Sequence, residues 1–161
     1  MRIYHGSLEI VNHPRILQPN RKLDYGKGFY TTTSEKQSRE WVERRVHENG
    51  ASCGYVNVYE FDEEKLSEFK SLVFSEPNEE WAEFVLANRT KNGFDHDYDI
   101  VYGPVANDRV YLQFGLYESG AIGLETLIRE LKTYKLVDQY LFHTDKALTA
   151  LRFVEATKIE L

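Results

Sequence analysis

The chain carries a single cysteine, Cys53, among 161 residues. That count excludes a disulfide framework and a cysteine-rich zinc site. Cys53 lies in Ala51-Ser52-Cys53-Gly54-Tyr55, beside an expected strand start, where a small core or turn residue is the natural reading rather than a nucleophile. No apolar run approaches a membrane span, and Met1-Arg2-Ile3-Tyr4-His5 holds no signal-peptide core. A cytoplasmic protein without a membrane of its own is therefore expected. Also absent are a Gly-x-Ser-x-Gly elbow, a Walker loop and a Gly-x-Gly-x-x-Gly fingerprint. Repeats, linkers and low-complexity segments are missing too. Basic residues are in deficit, 20 against 26 acidic ones, and the net charge of −6 disfavours a broad surface that tracks nucleic-acid phosphates. A local basic groove stays open.

What the chain has in plenty is ring surface. Eleven Tyr and nine Phe bring the aromatic fraction to 14%. A pocket that stacks a flat ligand is one use for the excess. The length fits one domain, and a hydrophobic fraction of 42% with 29% charged residues fits a globular chain.

Strand patterns are expected at Arg2–Ser7, Gly54–Phe61, Asp99–Val105, Asp138–His143 and Phe153–Ile159, with a further short strand or buried segment over Phe69–Phe74. On the first, Ile3 and His5 face one side and Tyr4 the other. On the second, Tyr55, Asn57, Tyr59 and Phe61 oppose Val56, Val58 and Glu60. Leu8–Leu23, with Pro14 and Pro19, reads as loop with a helical turn around Ile10 and Val11. A helix starts after Ser34, a capping residue with Gln37 three positions on, and ends at Asn49-Gly50. Trp41, Val42 and Val46 share a face of it. Asp62–Leu66 is a turn or short helix. Helices are also expected at Glu79–Thr90, with Trp81, Phe84, Val85 and Asn88 inward, at Asp108–Tyr117, at Leu124–Lys132 and at Asp145–Leu151. Strands at both ends with helices between them make a single α+β domain over 1–161 the natural class.

One stretch organises the rest: Asp24-Tyr25-Gly26-Lys27-Gly28-Phe29-Tyr30-Thr31-Thr32-Thr33. Its first half reads as a turn, because glycine takes backbone angles that other residues avoid and admits close approach of a ligand. Its second half reads as a strand of aromatics and threonines. Both a tight turn before a core strand and a ring-stacking site fit this pattern. Asp95-His96-Asp97 invites a metal reading. Neighbours on an extended chain point to opposite sides, however, and no second histidine lies at helical spacing, so an exposed acidic turn and no metal are expected. The helical glutamates read as solvated faces.

His5-Gly6 at a strand end, the Gly-Lys-Gly-aromatic-Tyr stretch, Ser38 and Trp41 on the next helix, and Gln139 on a late strand occur in one order. In that order the chain resembles the ADP-ribosyltransferase superfamily, on the diphtheria-toxin and poly(ADP-ribose) polymerase side. Tyr4-His5-Gly6-Ser7 is similar to the first motif of that family, and Tyr25-Gly26-Lys27-Gly28-Phe29-Tyr30 to the second, Phe-Gly-Lys-Gly-Ile-Tyr. Glu35-Lys36-Gln37-Ser38 resembles its Ser-Lys-Ser run, Asp99-Ile100-Val101-Tyr102-Gly103 its Asp-Ser-Val-x-Gly strand, and Gln139-Tyr140-Leu141-Phe142 its third motif. The likeness is nearest to small bacterial toxin-like domains, some encoded beside an antitoxin.

The resemblance implies an enzyme that binds NAD as co-substrate, without a metal, in a cleft between split, mostly antiparallel sheets. His5 would bond the ribose hydroxyls of the adenosine half. The Gly6 backbone and the Ser38 hydroxyl would hold the nicotinamide amide, and Tyr30 and Trp41 would sandwich the ring. Lys27 would approach the pyrophosphate, unless it is a solvated turn lysine. Ser7, Asp24 and Gly28 complete the expected binding set. His5, Tyr30 and Gln139 would form the catalytic group. At Gln139 the chain departs from the glutamate of the chain-elongating polymerases. An amide keeps the hydrogen-bonding shape and loses the charge, which points away from polymer synthesis and toward transfer of one ADP-ribose to a macromolecular acceptor. A catalytically silent NAD or ADP-ribose reader and an NAD glycohydrolase are the alternatives. A toxin of a toxin–antitoxin or phage-defence pair, with a cognate antitoxin as partner, is the expected setting.

Overall fold

The fold was analysed in a computed structural model, which describes residues 1–17 and 23–161. Two sheets form its frame. The first has the order β1 (Arg2–Ser7), β3 (Cys53–Phe61), β7 (Leu151–Glu160), all antiparallel. The second has the order β2 (Phe29–Thr31), β6 (Asp138–Phe142), β5 (Ile100–Pro104), β4 (Ser71–Val73), and only its β4–β5 pair is parallel. A single bridge between Tyr4 and Thr32 links the two sheets at β1 and β2. The α+β class expected from the element order is the architecture observed.

Alternation along each strand builds three cores. Ile3, Tyr59 and Phe61 of the first sheet meet Phe29, Ile100, Tyr140 and Phe142 of the second, which makes the two sheets a sandwich. The outer face of the first sheet carries Val56, Val58 and Ile159 and packs under Val42 and Val46 of α1 (Glu35–Asn49). The outer face of the second carries Val101 and Leu141. It packs under α2 (Glu79–Thr90), α3 (Asp108–Glu118) and α4 (Leu124–Lys132) through Trp81, Val85, Val110, Phe114, Leu127 and Leu131.

The local reasons are those of the sequence. Ser34 caps α1 by accepting from the Gln37 N–H, and Gly50 ends it at φ 62°. Asn78 and Asn107 cap α2 and α3 in the same way. Tertiary packing changes three details. Ile10 and Val11 form no helical turn. That segment is instead pinned to β3, where the Val11 N–H donates to Asn57 Oδ1 and its carbonyl accepts from the Tyr59 hydroxyl. The expected loop over 8–23 falls partly on residues 18–22, outside the described residues. Trp41 does not join Val42 and Val46 in the core but stays 36% exposed at its edge, with Arg44 and Arg45 over its ring. The last short helix, α5 (Asp145–Leu148), stops earlier than expected because Leu151 already pairs in β7. A 3₁₀ turn fills Glu63–Glu68. No helix among the described residues is long and apolar enough to cross a membrane.

Candidate functional site

Register decides which site residues share a side. Residues opposite each other in an antiparallel pair point the same way, and so do residues two apart on one strand. The Tyr4–Thr32 bridge and the Tyr30–Leu141 pair therefore put Gly6, Tyr30 and Gln139 on one continuous side of β1, β2 and β6. This side is the outer one, covered by α1 at β1 and by α2–α4 over the second sheet. We take the strip of β1, β2 and β6 between these helical walls as the candidate cleft; the two grooves of the described residues lie beside it, one at His5 and one at Asp138.

Gly6 sits against the first wall. A Cβ built on it would stand 2.8 Å from Val42 Cγ2, 2.9 Å from the Ser38 carbonyl oxygen and 3.0 Å from Trp41 Cδ1. Only glycine lets α1 approach so closely, and the approach brings Ser38 and Trp41 to the His5-Gly6 strand end. Ser38 is 3% exposed, yet among the described residues its Oγ has no hydrogen-bond partner. A buried hydroxyl left unpaired costs about 1–3 kcal/mol, so it marks a place where a partner is missing.

His5 points to the other side of β1, stacked on Phe29 with ring centroids 4.2 Å apart. Its Nδ1 donates to the Tyr30 carbonyl at 2.7 Å, which leaves Nε2 as a lone-pair acceptor. Burial lowers its pKa, against the raising effect of that hydrogen bond, and so favours the neutral ring. A groove of about 200 Å³ opens beside it, lined in part by Ser7, Asn12, His13 and Arg15. Asn57, fully buried, holds the groove wall by donating to the carbonyls of His5 and Glu9. Ser7 Oγ accepts from the Glu9 N–H in the same wall.

The turn that begins the second motif is held by side chains at each of its middle carbonyls. Tyr25 O accepts from His96 Nε2 at 2.7 Å, Gly26 O from the Tyr30 hydroxyl at 2.5 Å, and Lys27 O from His143 Nδ1 at 2.6 Å. Gly26 and Gly28 take φ of 84° and 147°, angles that suit glycine alone. The Tyr30 hydroxyl also accepts from the Tyr25 N–H, and burial drives its pKa well above the tyrosine value. Its ring is half-buried beside the α2–α4 core. His96 is buried between exposed Asp95 and Asp97, so this segment is not the wholly exposed acidic turn expected. The Tyr98 N–H donates to His96 Nδ1, which fixes the neutral Nε2–H form. No group of three or more His, Cys, Asp or Glu is placed to hold a metal among the described residues.

His5 and His96 both have lowered pKa values, burial being the first cause in each. Folding therefore favours the neutral rings. Their contribution is fully present above about pH 6.5, the unfolded value, and is lost as pH falls toward the lowered folded values. Around His96 the charged and titratable neighbours are Asp95, Asp97 and His143. Thermal unfolding followed from pH 7.5 down to pH 5 should show a falling Tm. A flat profile would show that neither ring is held neutral.

Asp24 is 7% exposed and makes the densest polar contact of the site. Its Oδ1 accepts from Arg89 Nη1 at 3.4 Å and from the Tyr111 hydroxyl, and its Oδ2 from the Ala106 N–H at 3.0 Å and from Gln139 Nε2 at 3.2 Å. It is thus joined to α2, α3, β6 and the segment after β5, rather than open to the cleft. Gln139, 7% exposed, has the Pro104 carbonyl 3.5 Å from the same nitrogen. Asp138, its neighbour, faces the opposite side, where it accepts from Thr33 and Tyr102 beside a groove of about 340 Å³. Arg89, Tyr111, His96 and His143 stand 65 to 116 residues from the turn contacts they make, a separation no local pattern announces.

Neither the curated proteins nor the solved structures give a match to this chain. A family model described as "Protein of unknown function (DUF3990)" matches residues 1–153. The match runs from β1 into β7 and takes in every residue of the cleft, so the chain belongs to the DUF3990 family.

Proposed function

We propose that the cleft binds NAD and that the protein is a mono-ADP-ribosyltransferase. The observation that carries this reading is the buried, unpartnered Ser38 Oγ set against Gly6, on the side of the sheet that also presents Tyr30 and Gln139. Ser38 would bond a carboxamide beside the Gly6 backbone, and the half-buried Tyr30 and the exposed Trp41 would offer ring faces. His5 Nε2, a lone-pair acceptor lining the groove of about 200 Å³ on the other side of β1, suits a ribose hydroxyl. Lys27, on the turn, would balance pyrophosphate charge.

In the reaction the bond between ribose C1′ and the nicotinamide nitrogen breaks. Its electron pair returns to the pyridine ring, which leaves as neutral nicotinamide. An acceptor oxygen, nitrogen or sulfur gives its pair to C1′ and its proton to solvent. Positive charge builds on the ribose between these events, as in glycoside cleavage. The residues of the cleft contribute by holding the reacting bond in place and by facing the ribose with acceptors. The resemblance to small bacterial toxins extends the reading to a toxin restrained by a cognate antitoxin.

The test uses labelled NAD with cell lysate, alongside calorimetric titration of NAD into the purified chain. Transfer of label with nicotinamide release supports the proposal. Release without transfer makes the protein a glycohydrolase, and binding without release makes it a reader. Ser38→Ala sharpens the result. It should raise stability by about 1 kcal/mol, since an unpaired buried hydroxyl is removed, and weaken NAD about tenfold. An unchanged affinity would take the hydroxyl out of the binding site.

A further inference from the structure

We propose that Asp24 is the positioning residue for Gln139, and that its buried carboxylate is the reason position 139 holds an amide instead of a glutamate. The inference rests on the transferase reading of the cleft. Two oxygens face Gln139 Nε2: Asp24 Oδ2 at 3.2 Å and the Pro104 carbonyl at 3.5 Å. Both are acceptors there, Asp24 Oδ2 also taking the Ala106 N–H and the Pro104 carbonyl also taking the Tyr25 hydroxyl proton at 2.7 Å. The amide is therefore fixed with nitrogen inward and oxygen away from Asp24.

A glutamate at 139 would set a second carboxylate against the first, with no donor to separate them. Like charges at that range cannot both stay ionised at little cost. Asp24 is tied down from every other side as well, by Arg89, the Ala106 N–H and Tyr111. It therefore cannot swing away. The pair it makes with the partly exposed Arg89 adds little net stability, so a positioning role is the better account of its presence. Its charge polarises the Gln139 amide and strengthens Oε1 as an acceptor for a ribose hydroxyl. The carboxylate that the chain-elongating polymerases carry in the third motif thus has a counterpart, one residue removed from the ligand, on the turn of the second motif.

The titratable and charged groups facing the pair are Arg89 from α2, Tyr111 from α3, and Tyr25 and Tyr30 from the turn and β2. The experiment compares wild type, D24N, Q139E and D24N/Q139E as full chains. Nicotinamide release gives kcat and KM for NAD, and thermal unfolding gives Tm, each at pH 8 and pH 5.5. D24N should lower kcat about tenfold with little change in KM, since it disturbs orientation and not binding. Q139E should lose turnover and Tm at pH 8 and regain both at pH 5.5, where the paired carboxylates take up a proton. D24N/Q139E should lose that pH dependence and release nicotinamide faster than Q139E at pH 8. A Q139E profile parallel to wild type, in an enzyme that does turn over NAD, overturns the inference and leaves the transferase reading standing. If wild type neither binds NAD nor releases nicotinamide, both fall, and the unfolding profiles alone then report a structural pair.

Discussion

Replacing Gly28 with alanine lowers Tm by about 10 °C. Two costs combine at this position. The backbone has φ 147°, in a region that L side chains rarely adopt, and an added Cβ would lie 2.5 Å from Leu141 Cδ1 and 2.5 Å from the Phe142 carbonyl oxygen. Leu141 Cδ1 is the end of a flexible side chain; the Phe142 backbone cannot give, because it pairs with Phe29 in the β2–β6 ladder. Strain of this kind and the overpacking together cost about 3–4 kcal/mol. For a chain of this size each kcal/mol moves Tm by roughly 2–4 °C. Calorimetry checks the shift. Gly115→Ala serves as its counterpart: this glycine lies inside α3 with nothing within 4 Å of an added Cβ, so alanine should stabilise by about 0.5–1 kcal/mol. A Gly28→Ala protein as stable as wild type would show that β2 and β6 do not pack as closely as described.

Gln139→Ala should cut nicotinamide release by about a hundredfold or more while KM for NAD changes little. Removal of one acceptor or donor aimed at a developing charge costs on that scale in other enzymes. The stability loss should stay near 1–3 kcal/mol, because a single hydrogen bond to a charged group disappears and Asp24 Oδ2 keeps the Ala106 N–H. Kinetics and unfolding on the same preparation separate the two effects. Release at the wild-type rate would remove Gln139 from the mechanism. A collapse of folding would show that its part is to support Asp24 and no more.

The two experiments bear on different layers of the site. Gly28 concerns how the turn of the second motif is seated against β6, and Gln139 concerns what that seating delivers to a ligand. The link between them is the set of contacts that fixes the turn. With the carbonyls of Tyr25, Gly26 and Lys27 accepting from His96, Tyr30 and His143, and Asp24 bound to Gln139, the turn enters the cleft in one conformation. Preorganisation of this sort spares a ligand the cost of ordering the loop it meets.

Much of this was legible in the residues alone. Glu79–Thr90 and Leu124–Lys132 were expected over the ranges observed, since apolar spacing and a capping context are local signals. Alternation in Gly54–Phe61 assigned Tyr59 and Phe61 to one core and Val56 and Val58 to the other. Gly6, Tyr30, Ser38, Trp41 and Gln139 were named as candidates from their order along the chain. Strand pairing then set Gly6, Tyr30 and Gln139 on one side, while His5 faces the other.

Tertiary structure decided what those residues do. Ile10 and Val11 were expected in a helical turn; they form none, and the buried Asn57 takes the Val11 N–H instead. Histidine 96 reads as surface in Asp95-His96-Asp97; long-range packing on Tyr25 and His143 buries it and gives it the Tyr25 carbonyl. Asp24 reads as one more turn residue in the expected binding set. Its carboxylate is spoken for by groups 65 to 115 residues away, and one of them is Gln139. Sequence by itself determined the elements and the residue types of the site, because capping, periodicity and glycine conformations act over a few residues. Only the folded chain decided that the glutamine and the aspartate form a pair, because hydrogen bonding between distant groups depends on where three layers of packing bring them.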